Sequence, residues 1–136
     1  MSYAVSAALQ AAVYQALAGN SEVSALSGGD IFDAPPAGPE PALYVTLGPE
    51  RVRDASDQTG QGATHDFTVS VITEAAGFAE AKALAAAVSD TLVDAPLVLN
   101  RGRLVALRFA KARARRLRPG DQRRIDLTFR ARVDDS

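Results

Sequence analysis

Two alternating segments near the end of the chain constrain the fold more than any other feature. Residues 103–117 alternate apolar with polar side chains, residues 122–133 do the same, and Pro119-Gly120 lies between them. A period of two indicates strands with one buried face, and Pro-Gly is a common turn sequence. The pattern predicts an antiparallel hairpin. Its second strand has five core-facing side chains: Ile125, Leu127, Phe129, Ala131 and Val133.

The first strand of this hairpin contains an apparent conflict. Three apolar side chains are predicted on its core face: Val105, Leu107 and Phe109. The basic tract that follows continues the same face with three cations: Lys111, Arg113 and Arg115. Either the strand runs past the core as an extended arm, or a bulge near Ala110 exchanges its two faces. The pattern favours the extended arm, with the bulge as the alternative.

Periodicity also predicts the main elements before the hairpin. Residues 3–18 and 77–93 place apolar side chains three and four positions apart, which predicts two helices. Residues 42–53 and 64–73 alternate and are predicted to be strands. The order is therefore helix, two strands, helix, two strands.

Three shorter segments are predicted from local signals. Residues 21–26 suit a short helical turn, and residues 97–99 a short strand. Residues 28–41 contain four prolines, which predicts a stiff connecting loop, because proline lacks a backbone donor. Residues 54–62 are polar and contain glycine, which predicts a protruding loop.

Together these elements predict an α+β fold. The sheet should have four to five strands and be mainly antiparallel, with two helices packed on one face. The other face, polar and rich in arginine, should meet water or a partner. Residues 1–136 are predicted to form one domain, because this length and an apolar content of 47% suit a single core.

Charge is distributed unevenly along the chain. Residues 1–100 hold 3 basic and 12 acidic residues, whereas residues 101–132 hold 12 basic and 2 acidic residues. Opposite charges on two surfaces of one subunit suit a head-to-tail contact between copies. Two alternative roles also fit the basic tract. It could form a solvated edge that resists aggregation, or a nucleic-acid-binding module, although the tract has no aromatic residue for base stacking.

The sequence offers no constellation for catalysis. With no cysteine, disulfides, zinc–thiolate sites and thiol catalysis are excluded. The one histidine, His65, adjoins Asp66, but neighbouring strand residues point to opposite faces. We therefore predict that His65 is either solvent-facing or a structural histidine with its hydrogen bonds satisfied. We also predict a protein that is not an enzyme, with no catalytic, cofactor-binding or metal-binding residues. No apolar run approaches the roughly 20 residues of a membrane span.

Five segments in this order carry a resemblance to a known family. They are LAGNSEVSAL, PALYVTLG, THDFTVSVIT, AEAKALAAAVSDTL and the final basic hairpin. The chain resembles the small tail-completion or tail-terminator proteins of long-tailed phages, especially those of gene transfer agents, which are phage-like particles. The resemblance covers nearly the whole chain.

This resemblance implies a structural role without a cofactor. It implies a ring of copies of the chain, a hexamer, that caps the tail tube, ends its polymerisation and joins the tail to the head. The partners would be the tail tube protein, the head–tail connector or adaptor protein, and DNA that crosses the lumen without specific binding. The location would be the head–tail junction of a virion or phage-like particle assembled in the bacterial cytoplasm, with no membrane contact.

Charge and the resemblance together give a set of predicted interface residues. They are Lys111, Arg113, Arg115, Arg116, Arg118, Arg123, Arg124, Asp54 and Asp57. A strongly basic lumen would slow the passage of DNA, so we expect most of these arginines to be paired or to lie away from the channel. The alternative function is a nucleic-acid-binding module that uses the basic C-terminal hairpin.

Overall fold

The fold combines a twisted sheet with a layer of helices, in a computed structural model that describes residues 3–33, 38–56, 61–117 and 122–135. Within these ranges there are three helices: α1 (Ser6–Ala18), α2 (Ser21–Ser27) and α3 (Ala79–Leu92). There are also five strands: β1 (Ile31–Phe32), β2 (Leu43–Asp54), β3 (Gly62–Thr73), β4 (Arg103–Arg116) and β5 (Arg123–Asp134). The predicted α+β class is confirmed.

The sheet is mixed, with the order β1-β2-β3-β5-β4. Three of its strand pairs are antiparallel, and β1 pairs with β2 in parallel. Strand β1 of this parallel pair lies inside the segment 28–41 that was predicted to be a loop, so that prediction was wrong at Ile31 and Phe32. Two residues are too few to show a period, which is why the sequence does not reveal them.

The predicted number of two helices is also corrected. The short turn predicted at residues 21–26 is a complete helix, α2, because Asn20 caps it. The Asn20 side chain accepts hydrogen bonds from the backbone N–H groups of Glu22 (3.1 Å) and Val23 (3.0 Å). Such a cap satisfies donors that have no partner within the helix. The helix ends at Gly28, which has a φ of 67°.

The predicted short strand at residues 97–99 was wrong. These residues are irregular, and Leu99 is buried whereas Val98 is 90% exposed. Just before them, the N–H of Asp94 donates to the carbonyl of Leu107 at 3.0 Å, so the connection runs against β4. The apolar residues of this segment therefore pack against the fold without extending the sheet.

Strand β4 resolves the conflict between its two halves by bulging. Its register against β5 shifts between Phe109 and Lys111, so Phe109 faces the helices whereas Lys111 points to the opposite side. The bulge near Ala110 is confirmed. The extended arm was wrong, because β4 remains paired with β5 as far as Arg116.

One hydrophobic core fills the space between the helices and the sheet. Phe129 is 0% exposed, and its ring lies 5.7 Å from that of Phe67 and 6.1 Å from that of Phe109. The five predicted core positions of β5 are all buried. In β4 only Leu107 is buried, whereas Val105 and Phe109 are about half-exposed. Phe109 is exposed because α3 packs mainly over β3 and β5. Val105 is exposed because a second register shift, between Leu104 and Ala106, leaves it out of the pairing with β5.

Candidate assembly interface

The sheet face turned away from the helices, which we call the open face, is strongly basic. The strand registers place ten basic side chains on it: Arg51, Arg53, Arg103, Arg108, Lys111, Arg113, Arg115, Arg124, Arg130 and Arg132. They place three acidic side chains on it: Asp66, Asp126 and Asp134. The helices carry the opposite bias, with three acidic residues and one lysine. The charge asymmetry of the sequence therefore survives as two differently charged sides.

Two predicted interface residues are held in a polar network around Asp126. Arg124 Nε donates to the Asp126 carboxylate at 2.7 Å, and Arg115 Nη2 lies 3.4 Å from its other oxygen. Ser70 Oγ donates to the same carboxylate at 2.6 Å. Burial alone would raise the pKa of Asp126, but the hydrogen bonds and these two guanidinium groups outweigh it and lower that pKa. Arg115 and Arg124 are therefore paired within the subunit.

A second network joins distant parts of the chain across the open face. Arg130 binds Asp66 with two hydrogen bonds, of 2.8 and 3.2 Å, and Arg53 lies 3.9 Å from the same carboxylate. The hydrogen bond from Arg130 is the main reason that the pKa of Asp66 lies below its usual value. At the edge of the sheet, Arg103 binds Asp134 at 2.9 Å. Most of the acidic charge on this face is thus already neutralised.

Three cations of β4 remain available to a partner. Arg108, Lys111 and Arg113 are exposed, and none forms an ion pair or hydrogen bond with another described residue. Lys111 and Arg113 line a groove of about 350 Å³ together with Pro49 of β2 and Thr68 of β3. A partner that presents carboxylates or phosphates would find these cations free to bind it.

The structure separates the other predicted interface residues. Arg116 and Arg123 form a strand pair on the helix side, where Arg123 donates to the carbonyl of Ala75 at 3.1 Å and lies over the ring of Phe78. The predicted loop at residues 54–62 is shorter, because Asp54 ends β2 and Gly62 begins β3. Arg118 and Asp57 lie outside the described residues.

The hydrogen bonds of Asp54 to other described residues are all local. Its carboxylate accepts hydrogen bonds from the hydroxyl of Ser56 at 2.7 Å and from the backbone N–H of Ser56 at 3.2 Å. The hydrogen bond from the Ser56 hydroxyl is the main reason that the pKa of Asp54 lies below its usual value, and the backbone N–H of Ser56 adds to the effect. Asp54 is exposed, so its carboxylate is accessible to a partner.

Sequence reasoning missed a buried polar cluster beneath α1. A bulge after Leu47 turns Glu50 towards the helices, where its carboxylate accepts hydrogen bonds from Tyr3 and Ser6. His65 is fully buried, with Nδ1 3.4 Å from the other Glu50 oxygen. The solvent-facing alternative was therefore wrong. The satisfied structural histidine is confirmed only in part, because the buried Nε2 of His65 has no hydrogen-bond partner among the described residues. The local signal was Pro49, because proline within a strand often marks a bulge.

Hydrogen bonding determines the ionisation of Glu50. Burial alone would raise the pKa of Glu50, but the bonds from Ser6, Tyr3 and His65 together lower it. A carboxyl whose folded pKa is depressed stabilises the fold above its unfolded pKa of about 4.3. That stabilisation is lost as the pH falls through the folded pKa.

We therefore expect Glu50→Gln to lower the free energy of unfolding by about 1–2 kcal/mol at pH 7. The variant should also lose less stability than the wild type on acidification, because a neutral amide does not titrate. Urea denaturation at several pH values between about 7 and 3 measures both effects. The control is Glu80→Gln on the exposed start of α3, expected to change stability by less than about 0.5 kcal/mol. An unchanged acid dependence in Glu50→Gln would contradict the expectation.

A metal site would need several ligating side chains close together. Among residues 3–33, 38–56, 61–117 and 122–135, no group of three or more His, Asp or Glu side chains could hold a metal ion. None of the helices in these ranges has the length and apolar character needed to cross a bilayer.

Known proteins resemble this chain over almost its whole length. The family described as "Tail completion protein gp17" matches residues 11–134. Among solved structures, a chain of the "Virion of native gene transfer agent (GTA) particle" is 64% identical to this one, with a TM-score of 0.93. That match covers 98% of this chain and 99% of the other. No protein of curated function matches.

Proposed function

Because this chain belongs to the tail completion protein gp17 family and is a structural protein of a virion tail, we propose that it forms the ring that ends the tail tube. The ring caps the tube, stops its polymerisation and joins the tail to the head connector. In this role the chain performs no catalysis and needs no cofactor.

The observation that carries this proposal is the match to a virion chain over 98% of the sequence at 64% identity. The likeness extends over almost the whole chain. It is also the basis for placing the protein in a gene transfer agent or a similar phage-like particle. Within that particle we propose the head–tail junction as its location.

The two charged sides of the subunit support assembly into a ring. The helix side is acidic and the open face is basic, so two copies can meet head to tail through different surfaces. Heterologous contacts of this kind close into a ring when the rotation between copies permits. The proposed ring is a hexamer, as the family resemblance implies, and its other partners are the tail tube protein and a connector or adaptor protein.

Internal pairing of the arginines suits a channel that DNA must cross. Arg115, Arg124 and Arg130 bind carboxylates of their own subunit, which lowers the charge that a phosphate backbone would meet. DNA would therefore pass without being held. This agrees with transit through the lumen and not with storage on the protein.

One observation favours a second candidate function. The free cations Arg108, Lys111 and Arg113 follow one edge of the open face, as expected of a nucleic-acid-binding module. A salt titration with duplex DNA separates the two functions. A true binder would show saturable affinity that falls steeply with salt, whereas a ring protein would join tail tubes without DNA.

Imaging of particles tests the proposed function directly. In a producing strain that lacks this chain, we expect tubes of irregular length and heads without tails, because nothing would end the tube or join it to the head. A plasmid copy of the wild-type chain should restore joined particles of uniform length. An epitope tag should be found at the head–tail junction. Normal particles without the chain, or a tag found elsewhere along the tail, would contradict the proposal.

A further inference from the structure

One edge of the sheet is open along the second half of β4. Strand β4 is the last in the sheet, so only one of its sides pairs with another strand, β5. Every residue from Arg108 to Ala114 is exposed, whereas in β5, which is paired on both sides, every second residue from Ile125 to Val133 is buried. Among the described residues, none forms a backbone hydrogen bond to Arg108–Ala114 on the side away from β5. We call this side of residues 108–114 the β4 edge.

The backbone groups that point out of the β4 edge can be identified. The carbonyl of Leu107 accepts a hydrogen bond from the N–H of Asp94 at 3.0 Å, so the backbone groups of Leu107 point away from β5. In an antiparallel pair, every second residue of a strand points its N–H and C=O groups away from the partner. The register with β5 carries this alternation past the bulge to Phe109, Ala112 and Ala114. These three residues therefore offer donors and acceptors to an additional strand.

The side chains along the β4 edge differ in charge between the two faces of the sheet. On the open face they are the three cations that pair with no other described residue, namely Arg108, Lys111 and Arg113. These cations lie opposite every second residue of β5 from Arg130 to Asp126, so their spacing follows the strand repeat of about 7 Å. On the helix side the side chains are uncharged, namely Phe109, Ala112 and Ala114.

We propose that the β4 edge receives one strand of another protein of the particle, in which acidic residues alternate with uncharged residues. The backbone of this strand would bond to the outward groups of the β4 edge, as in other proteins that bind an extended segment at a sheet edge. Its carboxylates would lie beside the three cations, and its uncharged side chains beside Phe109 and the two alanines. A strand carries side chains on both faces, so one segment meets both patterns at once. This inference rests on the proposed function, which gives the chain other tail proteins as partners.

Charge argues against a second copy of this chain as the added strand. Two β4 edges that faced each other would bring like charges together, which is unfavourable between neighbouring strands. At the other end of the sheet, β1 is only 2 residues long, and β2 beyond it carries Arg51 and Arg53 on the open face. The cations that repel a copy of the chain would attract an acidic strand, so they select the partner.

Synthetic peptides test the added strand directly. The isotope-labelled full chain would be titrated with the capped peptide SEVEVEVS, and we expect NMR shifts at the amides of the β4 edge. Two further peptides carry N-methyl groups, one on every valine nitrogen and the other on every glutamate nitrogen. Because these two sets of N–H groups point to different edges of the peptide, one methylated peptide should bind roughly tenfold more weakly than the other.

A peptide of the same composition but without alternation, SEEEVVVS, is the control for charge alone and should bind more weakly than SEVEVEVS. No binding of SEVEVEVS, or equal affinity of the two methylated peptides, overturns the inference. Equal binding of SEEEVVVS also overturns it, because the cations would then attract charge without adding a strand. Duplex DNA that binds these same amides more tightly than the peptide would assign the cations to phosphate, with the same consequence.

The variant Ala112→Pro blocks the β4 edge from the side of this chain. It removes one outward N–H, and proline is tolerated on an edge strand where that group would face solvent. The matched control, Ala112→Ser, keeps the N–H. We expect Ala112→Pro to weaken binding of SEVEVEVS roughly tenfold and Ala112→Ser to leave it nearly unchanged. As the only copy in a producing strain, Ala112→Pro should also lower the yield of joined particles relative to Ala112→Ser.

The outcomes separate this inference from the proposed function. If Ala112→Pro folds and gives as many joined particles as Ala112→Ser, the inference is overturned while the proposed function stands. If Ala112→Pro breaks up rings of the purified chain, the added strand belongs to a second copy, and the inference is again overturned. If Ala112→Pro does not fold, the methylated peptides and the wild-type chain decide. If particles form normally without the chain, the proposed function fails, and this inference fails with it.

Discussion

Replacing Phe129 by alanine is expected to lower the free energy of unfolding by about 3–5 kcal/mol. The side chain is 0% exposed and contacts the rings of Phe67 and Phe109, so the truncation removes apolar burial and leaves a cavity. A loss of this size is a large part of the total stability of a domain. Urea denaturation of the isolated chain, followed by circular dichroism, measures it.

The matched control for this change is Phe109→Ala. The two residues are of the same type and form a strand pair, but Phe109 is about half-exposed on the edge strand. We expect Phe109→Ala to cost about 1 kcal/mol, since less apolar area returns to water. Equal losses in the two variants would show that Phe109 contributes as much to the core as Phe129, which would contradict the difference in their exposure.

The long elements could be predicted from sequence because their periods repeat many times. Helices α1 and α3 and strands β2, β3 and β5 all follow from spacing alone. Strand β1 could not be found, because its two residues pair with Val45 and Thr46 through a contact that only the folded chain creates. Helix α2 depends on one cap, Asn20, and its 7 residues are too few for their spacing alone to predict a complete helix.

The pairing of the arginines could not be predicted, because it depends on register between distant strands. Asp66 and Arg130 meet only because β3 and β5 align them as neighbours. We expected most of the predicted interface arginines to be paired or to lie away from the channel, and their position relative to the channel stays a prediction. Within the subunit, Arg115 and Arg124 are paired, whereas Arg113 has no partner among the residues that the structure describes.

The bulge at Ala110 decides which cations can meet a partner. Without it, the basic tract would share the side of Phe109, and the open face would lose Lys111 and Arg113. Reversing the charge of Arg115 would disturb the bonds of Asp126 and so confuse folding with assembly. Lys111 and Arg113 have no such bonds within the described subunit, so their charge can be reversed with little effect on the fold.

We expect the double variant Lys111→Glu/Arg113→Glu to lower the yield of joined particles on the order of a thousandfold, because like charges at an interface cost several kcal/mol. Its thermal midpoint should remain within a few degrees of the wild type. The neutral control Lys111→Gln/Arg113→Gln removes attraction without adding repulsion and should give an intermediate loss. Electron microscopy and transfer assays measure the yield of joined particles for the reversed variant and for the neutral control. A reversed variant with normal yield and tail length would show that the open face meets no acidic partner during assembly.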